Sequence, residues 1–369
     1  MKNISKGEER KPLRYLMIHQ GAELYGSDRS FISTVKAVNS TRQAVVDVIL
    51  PEEGKLSTQI STVVRNILFR PDGYLRKARI KRSPIGSFFS MFVEFLWFLK
   101  KYRDYDVLYV NTVVCLSAIG ALAFFGQKKH KILHVREIPT GIQLYFFRLI
   151  LKFSRASIIY NSQATKDSFG VDGSVVLNGV SPVVSDVVCF EKKKLGKLLI
   201  IGRINAWKGQ DFFLRSIIEV KHNLEIRIVG GVYGDQQHFL DELHGIVANN
   251  ALNVDFFGFC DDPSEHFLWA DYVVVPSKDP EPFGRVAIEA MSAGKPVIAA
   301  GHGGLCEIVE NRSTGYLFKP NDSADLVKVL QEALVNQDYL GMSSNARKKY
   351  LSTFSEDAYK SNFLRIISG

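Results

Sequence analysis

Short apolar runs alternate with longer amphipathic stretches along most of this chain, and that alternation limits its fold more than any other feature. Arg14-Tyr15-Leu16-Met17-Ile18-His19 reads as a buried strand, Gly21 to Ser27 as a loop, Arg29 to Val38 as a helix, and Ala44 to Leu50 as a second strand ended by Pro51. Strand, loop, helix and strand in that order form the grammar of a parallel sheet. The pattern is weak over residues 52–84, where Arg65, Arg70, Arg76, Lys77, Arg79, Lys81 and Arg82 lie among few periodic apolar positions. It then resumes with a helix over 86–101, strand Val107 to Val110, helix 113–125, strand Lys131 to Val135, helix 142–153 and strand Ser157 to Asn161.

Between Asn178 and Lys197 the alternation stops, and Glu191-Lys192-Lys193-Lys194 reads as a linker. A second series follows: strand Leu198 to Gly202, helix 210–220, strand Leu224 to Val229, helix 236–248, strand Val254 to Phe257, helix 263–270, strand Tyr272 to Pro276, helix 284–293 and strand Pro296 to Ala300. Two such series predict an α/β protein of two doubly wound, Rossmann-like domains, with loops at the carboxyl edge of each sheet and a ligand site expected in the cleft between them. The expected boundaries are 1–185, joined by a C-terminal helix over 354–369, and 186–353.

The length of 369 residues agrees with two domains, being more than twice the ~150 of a typical one. Charge is divided between the halves: residues 1–185 hold 27 basic and 14 acidic side chains, a net +13, and the remainder carries −4. A basic half points to an anionic partner, such as nucleic acid, a membrane surface or a phosphorylated substrate, and says nothing about fold. Cys115, Cys189, Cys260 and Cys306 stand far apart without a metal-ligand spacing, so they read as thiols in a reducing compartment. The first ten residues have charge but no apolar core, unlike a secretion signal. The apolar stretches Thr112 to Gly126 and Ile85 to Leu99 are shorter than the roughly 20 residues that span a bilayer.

Two loops of the second series carry chemistry. Gly202-Arg203-Ile204-Asn205-Ala206-Trp207-Lys208-Gly209 places a guanidinium and an ammonium between a strand end and a helix start. That arrangement suits a diphosphate, since the helix end adds N–H donors to the two cations. Alone, it is a weak signal and reads more readily as two solvated loop cations. Pro280-Glu281-Pro282-Phe283-Gly284-Arg285-Val286-Ala287-Ile288-Glu289 follows a buried strand and opens a helix. Proline holds Glu281 extended, Gly284 allows close approach to the helix start, and Glu289 is a carboxylate that could accept ribose hydroxyls.

Gly202-Arg203, Lys208-Gly209, Glu281 with Glu289, Met291 to Ala299, Gly303-Gly304 and Glu307-Ile308-Val309 together resemble the retaining glycosyltransferases of group 1 (family 4), which have the GT-B fold. The resemblance covers about residues 195–335. It implies that Arg203 and Lys208 hold the diphosphate of a nucleotide-sugar donor, that Glu281 contacts the donor sugar and Glu289 the ribose, with Phe283 and Gly284 in the donor site. The first domain is similar more loosely, as an acceptor-binding domain. Tyr25-Gly26-Ser27-Asp28-Arg29-Ser30 stands where many relatives have Gly-Gly-Ala-Glu-Arg-Ser, so Tyr25 replaces a glycine; Gly26 and Ser27 fall in the ligand-contacting turn. His134 matches a histidine that lines the sugar pocket, whereas His19 reads as a packing histidine. Arg285 occupies a place that is usually aliphatic.

No Asp-x-Asp motif in a metal-site context occurs, so no metal and no cofactor beyond the nucleoside-diphosphate sugar is expected. Cations and helix dipoles would stabilise the departing charge instead. The segment Phe88 to Leu99, aromatic-rich and flanked by Arg76 to Arg82 and Lys100-Lys101, reads either as a buried helix or as one lying on an anionic bilayer. The expected function is sugar transfer from a nucleotide donor to a growing, lipid-linked glycan in cell-surface polysaccharide synthesis, at the cytoplasmic face of a membrane, with no nucleic-acid partner. The alternatives are transfer to a soluble acceptor and a non-catalytic nucleotide-sugar-binding subunit.

Overall fold

The computed structural model describes residues 11–41, 43–74, 83–126, 129–184, 195–220, 224–232, 234 and 236–368. The basic cluster from Arg76 to Arg82, the charged linker Glu191 to Lys194 and Cys189 lie outside the described residues. The chain forms two compact units. The first takes in Met1–Asn161, Thr165–Val176 and Lys360–Gly369, and the second Ser162–Ala164 and Leu177–Tyr359.

Unit 1 is built on a parallel sheet of β1 (Leu13–Ile18), β2 (Ala44–Leu50), β3 (Asn66–Phe69), β4 (Val107–Asn111), β5 (His130–Val135), β6 (Ser157–Tyr160) and β7 (Ser174–Val175), in the order β3-β2-β1-β4-β5-β6-β7. Ile18 lies beside both Ile49 and Val110, and Asn111 beside His134, which brings the ends of β1, β4 and β5 level. Parallel crossovers are right-handed. Helices Gly26–Asn39 and Lys55–Ile60, which lead toward β3, therefore cover one face, and Pro84–Lys101, Leu116–Leu122 and Ile142–Ser154, which lead the other way, cover the opposite face. One apolar cluster on that second face joins Phe98, Ile119, Phe147 and Leu151 to Leu108, Val110, Leu133 and Val135. Truncating a fully buried member such as Leu108 to Ala should cost about 2–5 kcal/mol.

Segment 52–84, weakly patterned in sequence, contains helix Lys55–Ile60 and strand β3. The β3 edge is held by charge: the Arg65 guanidinium pairs with the buried Asp47 carboxylate, which also accepts from Asn66 Nδ2 at 3.0 Å and Tyr105 Oη at 2.7 Å. Helix Pro84–Lys101 buries only Ser87, Glu94 and Phe98. Its one carboxylate, Glu94, accepts from Arg70 Nε at 3.0 Å, and Arg70 lies over the Trp97 ring. The helix is thus anchored by a narrow stripe, and most of its aromatic surface is not core. The expected helix over 113–125 is shorter, Leu116–Leu122, because residues 112–115 turn out of β4 through Thr112 at φ 79°.

Unit 2 repeats the architecture with β8 (Lys197–Ile201), β9 (Glu225–Val229), β10 (Val254–Phe256), β11 (Tyr272–Val275), β12 (Val297–Ala300) and β13 (Gly315–Phe318), ordered β10-β9-β8-β11-β12-β13. The Asp271 carboxylate accepts from the backbone N–H groups of Gly196 and Lys197, both at 2.8 Å, tying the start of β11 to the start of β8. Helices Gln210–Ser216, Gln237–Asn250, Ser264–Trp269, Arg285–Ser292, Leu305–Ile308, Ser323–Leu334 and Tyr339–Lys349 complete the layers. Two of these begin at aspartate caps, with Asp322 accepting from Asp325 N and Asp338 from Gly341 N. Cys115 is buried, Cys260 half-buried and Cys306 exposed, each as a free thiol.

Candidate functional site

In a doubly wound sheet, a crevice opens at the carboxyl edge where the strand order reverses, because the loops from the two central strands lead away to opposite faces. In unit 2 the reversal falls between β8 and β11. The loops leaving these two strands are 202–209 and 276–284, which hold Arg203, Lys208, Glu281, Phe283 and Gly284.

These loops interlock. Lys278 N donates to Trp207 O at 2.7 Å, and Gly209, at φ 73°, lies so near the Pro276 carbonyl that a Cβ would sit 2.0 Å from its oxygen. Any side chain there would force the loops apart. The loop after β12 closes on the same place: Gly304 N donates to Glu281 O at 2.8 Å, and a Cβ on Gly303 would meet that oxygen at 2.4 Å. Lys208 Nζ reaches Glu281 Oε1 at 2.6 Å, and Ser277 Oγ donates to the same oxygen at 2.7 Å. His302 Nε2 lies 2.9 Å from Ser277 O, and the Lys208 ammonium is 4.3 Å from the Trp207 ring centroid. A buried carboxylate and a partly buried ammonium are thus fixed at the switch point, while Arg203 on the same loop is exposed.

Glu289 takes a different arrangement. One turn into helix Arg285–Ser292 it accepts from Arg285 Nε at 2.8 Å, an i,i+4 pair with both side chains largely buried. Gly284 opens that helix at φ 102°, a backbone conformation that side chains rarely adopt, and a Cβ on it would press on the Leu305 side chain at 2.8 Å. The Phe283 ring is buried, 6.5 Å from that of Phe354, which leaves its backbone as the part able to meet a ligand.

In unit 1 the reversal falls between β1 and β4. Gly26 is exposed and Ser27 half-buried at the start of helix Gly26–Asn39, where Tyr25 N and Ser27 Oγ donate to the Asp28 carboxylate at 3.0 and 3.2 Å. Asp28 is buried and takes a hydrogen bond from His19 Nε2 at 2.8 Å. His19 Nδ1 accepts from Asn111 Nδ2 at 2.7 Å, and Asn111 Oδ1 accepts from Arg136 Nε at 2.6 Å. Arg136 Nη2 lies 3.3 Å from His134 Nδ1, as Tyr109 Oη does at 2.7 Å.

His134 is fully buried, stacked on Phe363 at 6.4 Å, and its Nε2 has no hydrogen-bond partner among the described residues. Burial, reinforced by the Arg136 charge, holds its pKa well below the usual imidazole value. Burial also lowers that of His19, against the opposing pull of Asp28. Glu137, whose carboxylate accepts from the backbone N–H groups of Arg136 and Val113, is pushed upward, again by burial.

The structure therefore joins Lys208 to Glu281 and keeps Glu289 in a separate pair with Arg285. Gly26, Ser27 and His134 belong to unit 1. Sequence reasoning missed Ser277, which orients Glu281, and the buried chain of Asp28, His19, Asn111 and Arg136 that leads to His134. Their signal was polar residues in or next to otherwise apolar strand ends. Among the described residues no group of three or more His, Cys, Asp or Glu side chains could hold a metal ion, and no helix is long and apolar enough to cross a membrane.

Residues 188–349 match the family described as glycosyl transferases group 1. The chain is 28% identical over 209 residues to the uncharacterized glycosyltransferase MJ1607 of Methanocaldococcus jannaschii, covering 50% of each. It is 31% identical over 168 residues to the lipopolysaccharide 1,2-N-acetylglucosaminetransferase of Salmonella typhimurium, covering 43% of this chain and 44% of the relative. The matched stretch thus spans about half the length of these curated relatives. In three dimensions the chain is similar to Anabaena Alr3699/HepE, crystallised with UDP and glucose, with a TM-score of 0.76 at 21% identity over 97% of this chain and all of the other. That likeness shows the fold: two Rossmann-like domains of the GT-B type.

Proposed function

We propose that the chain, whose residues 188–349 match the family described as glycosyl transferases group 1, moves a sugar from a nucleoside-diphosphate sugar to a glycan acceptor, which unit 1 binds. The observation that carries this reading is the Lys208–Glu281 pair at the switch point of unit 2. A fixed ammonium and a fixed carboxylate on interlocked loops suit a ligand that is anionic at one end and rich in hydroxyls at the other. In this reading Arg203 and Lys208 hold the diphosphate, Glu281 receives sugar hydroxyls, Glu289 the ribose, and the backbone at Phe283 and Gly284 offers N–H groups to the donor.

The reaction breaks the bond from the sugar's anomeric carbon to the diphosphate and forms one from that carbon to an acceptor oxygen. The acceptor proton leaves with the departing phosphate, which entry from the same face permits and which retains the anomeric configuration. Preorganised cations stabilise the charge that gathers on the leaving group, so losing one should raise the barrier by a few kcal/mol. His134 and the turn at Gly26 and Ser27 serve the sugar and phosphate side of unit 1. No divalent ion is required in this scheme: activity should survive EDTA, and full loss restored by manganese or magnesium would contradict it.

The acceptor we propose is lipid-linked, in cell-surface polysaccharide synthesis at the cytoplasmic face of a membrane. The similarity to a lipopolysaccharide transferase supports this, as does the +13 charge of residues 1–185. A panel of lipid-diphosphate-linked sugars and soluble sugars, incubated with UDP-glucose and other nucleotide sugars, tests it. Glycosylated product on soluble acceptors alone would return the function to a soluble substrate.

A further inference from the structure

Helices Pro84–Lys101, Leu116–Leu122 and Ile142–Ser154 lie in one layer on the same face of the unit 1 sheet, with the short helix packed against both long ones. Their inward stripes are narrow: Phe98 and Glu94 on the first, Phe147 and Leu151 on the last. The outer surface is strongly apolar. On the first helix Ile85 is 86% exposed and Phe88 76%, followed by Phe89 and Phe92; on the last, Ile142 is 85% exposed and Phe153 78%, with Phe146 between. Phe124, exposed just after the middle helix, has its ring 5.5 Å from that of Phe95 and extends the patch between them.

Single exposed apolar residues are ordinary, but a contiguous patch drawn from neighbouring helices marks an interaction surface. Charge identifies the partner. Helix Ile142–Ser154 has no acidic residue, and the one carboxylate of Pro84–Lys101, Glu94, is buried against Arg70. Lys100, Arg103, Lys152 and Arg155 are exposed at or just beyond the carboxyl ends of the two long helices, where the exposed carboxylates of Asp104 and Asp106 follow the first helix and none follows the second before β6. All strands of the sheet are parallel, so both crossover helices run the same way and bring these cations to one margin of the patch. A protein partner would need hydrogen-bonding groups at roughly one per 100–200 Å². This surface offers mainly hydrocarbon and rings, edged with cations, as surface-bound amphipathic helices do.

We propose that this face of unit 1 docks on an anionic lipid bilayer, the phenylalanine and isoleucine side chains entering the acyl boundary and Lys100, Arg103, Lys152 and Arg155 meeting lipid phosphates. The inference goes beyond the sugar-transfer reading by naming the surface that would carry the chain to a lipid-borne substrate. The amino-terminal, most exposed ends of both helices lie toward the carboxyl edge of the sheet, the edge at which doubly wound sheets bind ligands.

The test is co-sedimentation of the full chain with phosphatidylcholine vesicles, with and without phosphatidylglycerol. Phe88→Ser with Phe89→Ser, and separately Ile142→Ser with Phe146→Ser, should each lower the partition coefficient roughly tenfold or more, since each removes two side chains from hydrocarbon. Lys100→Gln with Lys152→Gln should remove most of the preference for phosphatidylglycerol, and salt should release the unmodified chain. Nucleoside-diphosphate affinity, measured on the same samples, reports on unit 2 and should not change, which separates failure of this proposal from failure of the donor reading. Equal, negligible sedimentation with both vesicle types would overturn the proposal. So would concentration-dependent dimers that ignore vesicles and fall apart on Phe88→Ser with Phe89→Ser, which would make this face a contact between copies.

Discussion

Lys208 Nζ lies 2.6 Å from Glu281 Oε1, joining the loop that leaves β8 to the loop that leaves β11. The carboxylate is held a second time by Ser277, so it is positioned whether or not the lysine turns to a ligand. Lys208→Ala should therefore weaken nucleoside-diphosphate binding by about 10- to 100-fold, the range for a lost charge-assisted hydrogen bond. Glu281→Gln, which keeps an acceptor for Lys208, should leave nucleoside-diphosphate affinity within a few-fold and lower sugar transfer. Isothermal titration beside a transfer assay separates the two; unchanged diphosphate affinity in Lys208→Ala would remove the lysine from the donor site.

Gly209 tests the geometry of the same place. Its left-handed backbone costs a side chain roughly 1–2 kcal/mol, and the Cβ would also overlap the Pro276 carbonyl. Gly209→Ala should lower unit 2 stability by at least about 2 kcal/mol and reduce nucleotide affinity with it. Ala206→Gly, in the same loop but exposed, should change stability by well under 1 kcal/mol. Equal melting temperatures for the two variants would show that the loops do not interlock.

Arg285 and Glu289 form a largely buried i,i+4 pair, so removing either partner leaves the other charge poorly solvated and should lower the melting temperature. If Glu289 serves the ribose, Glu289→Ala should abolish the preference for a ribonucleoside diphosphate over its 2′-deoxy form. Arg285→Leu should change that preference while keeping the carboxylate. A discrimination ratio unaffected by either substitution would confine the pair to helix structure.

Much of this was legible before any coordinates. Strands rich in Val, Ile and Leu, such as Ala44 to Leu50, announce themselves because a central parallel strand is buried on both faces. Strand β3 did not, since it lies at the sheet edge and its pairing with β2 is reinforced by Arg65 and Asp47, far apart in sequence. Lys208 and Glu281 could each be singled out by loop position, but 73 residues separate them and only the fold makes them a pair. Arg285 and Glu289 are four apart on a helix, and their pairing could have been drawn from spacing alone. The exposure of Phe88 and Phe89 was not readable, because an aromatic run looks the same whether its helix is covered or open.

His134 and His19 give the protein an acid-side weakness. Both are buried beside polar partners, Tyr109, Arg136 and Asp28 among them, with pKa values held below the usual one of about 6.5. Below that pH the unfolded chain binds protons that the folded chain refuses, so stability falls as pH falls, by up to about 1.4 kcal/mol per unit for each histidine. Glu137, pushed upward by burial, acts in the opposite direction within its own titration range. Denaturation midpoints between about pH 7 and 5.5 should decline for the unmodified chain and less steeply for His134→Gln. A profile identical in the two proteins would mean that His134 takes up its proton freely.

The central claim is that unit 2 binds a nucleoside-diphosphate sugar through Arg203, Lys208 and Glu281 and commits it to transfer. It is tested most directly by release of nucleoside diphosphate from a panel of nucleotide sugars, beginning with UDP-glucose, in the presence of glycan acceptors. We predict acceptor-dependent release from one donor, the same donor giving the largest thermal stabilisation, and both effects lost in Lys208→Ala. Stabilisation by none of the donors, or release at an equal rate from Lys208→Ala and the unmodified chain, would contradict it.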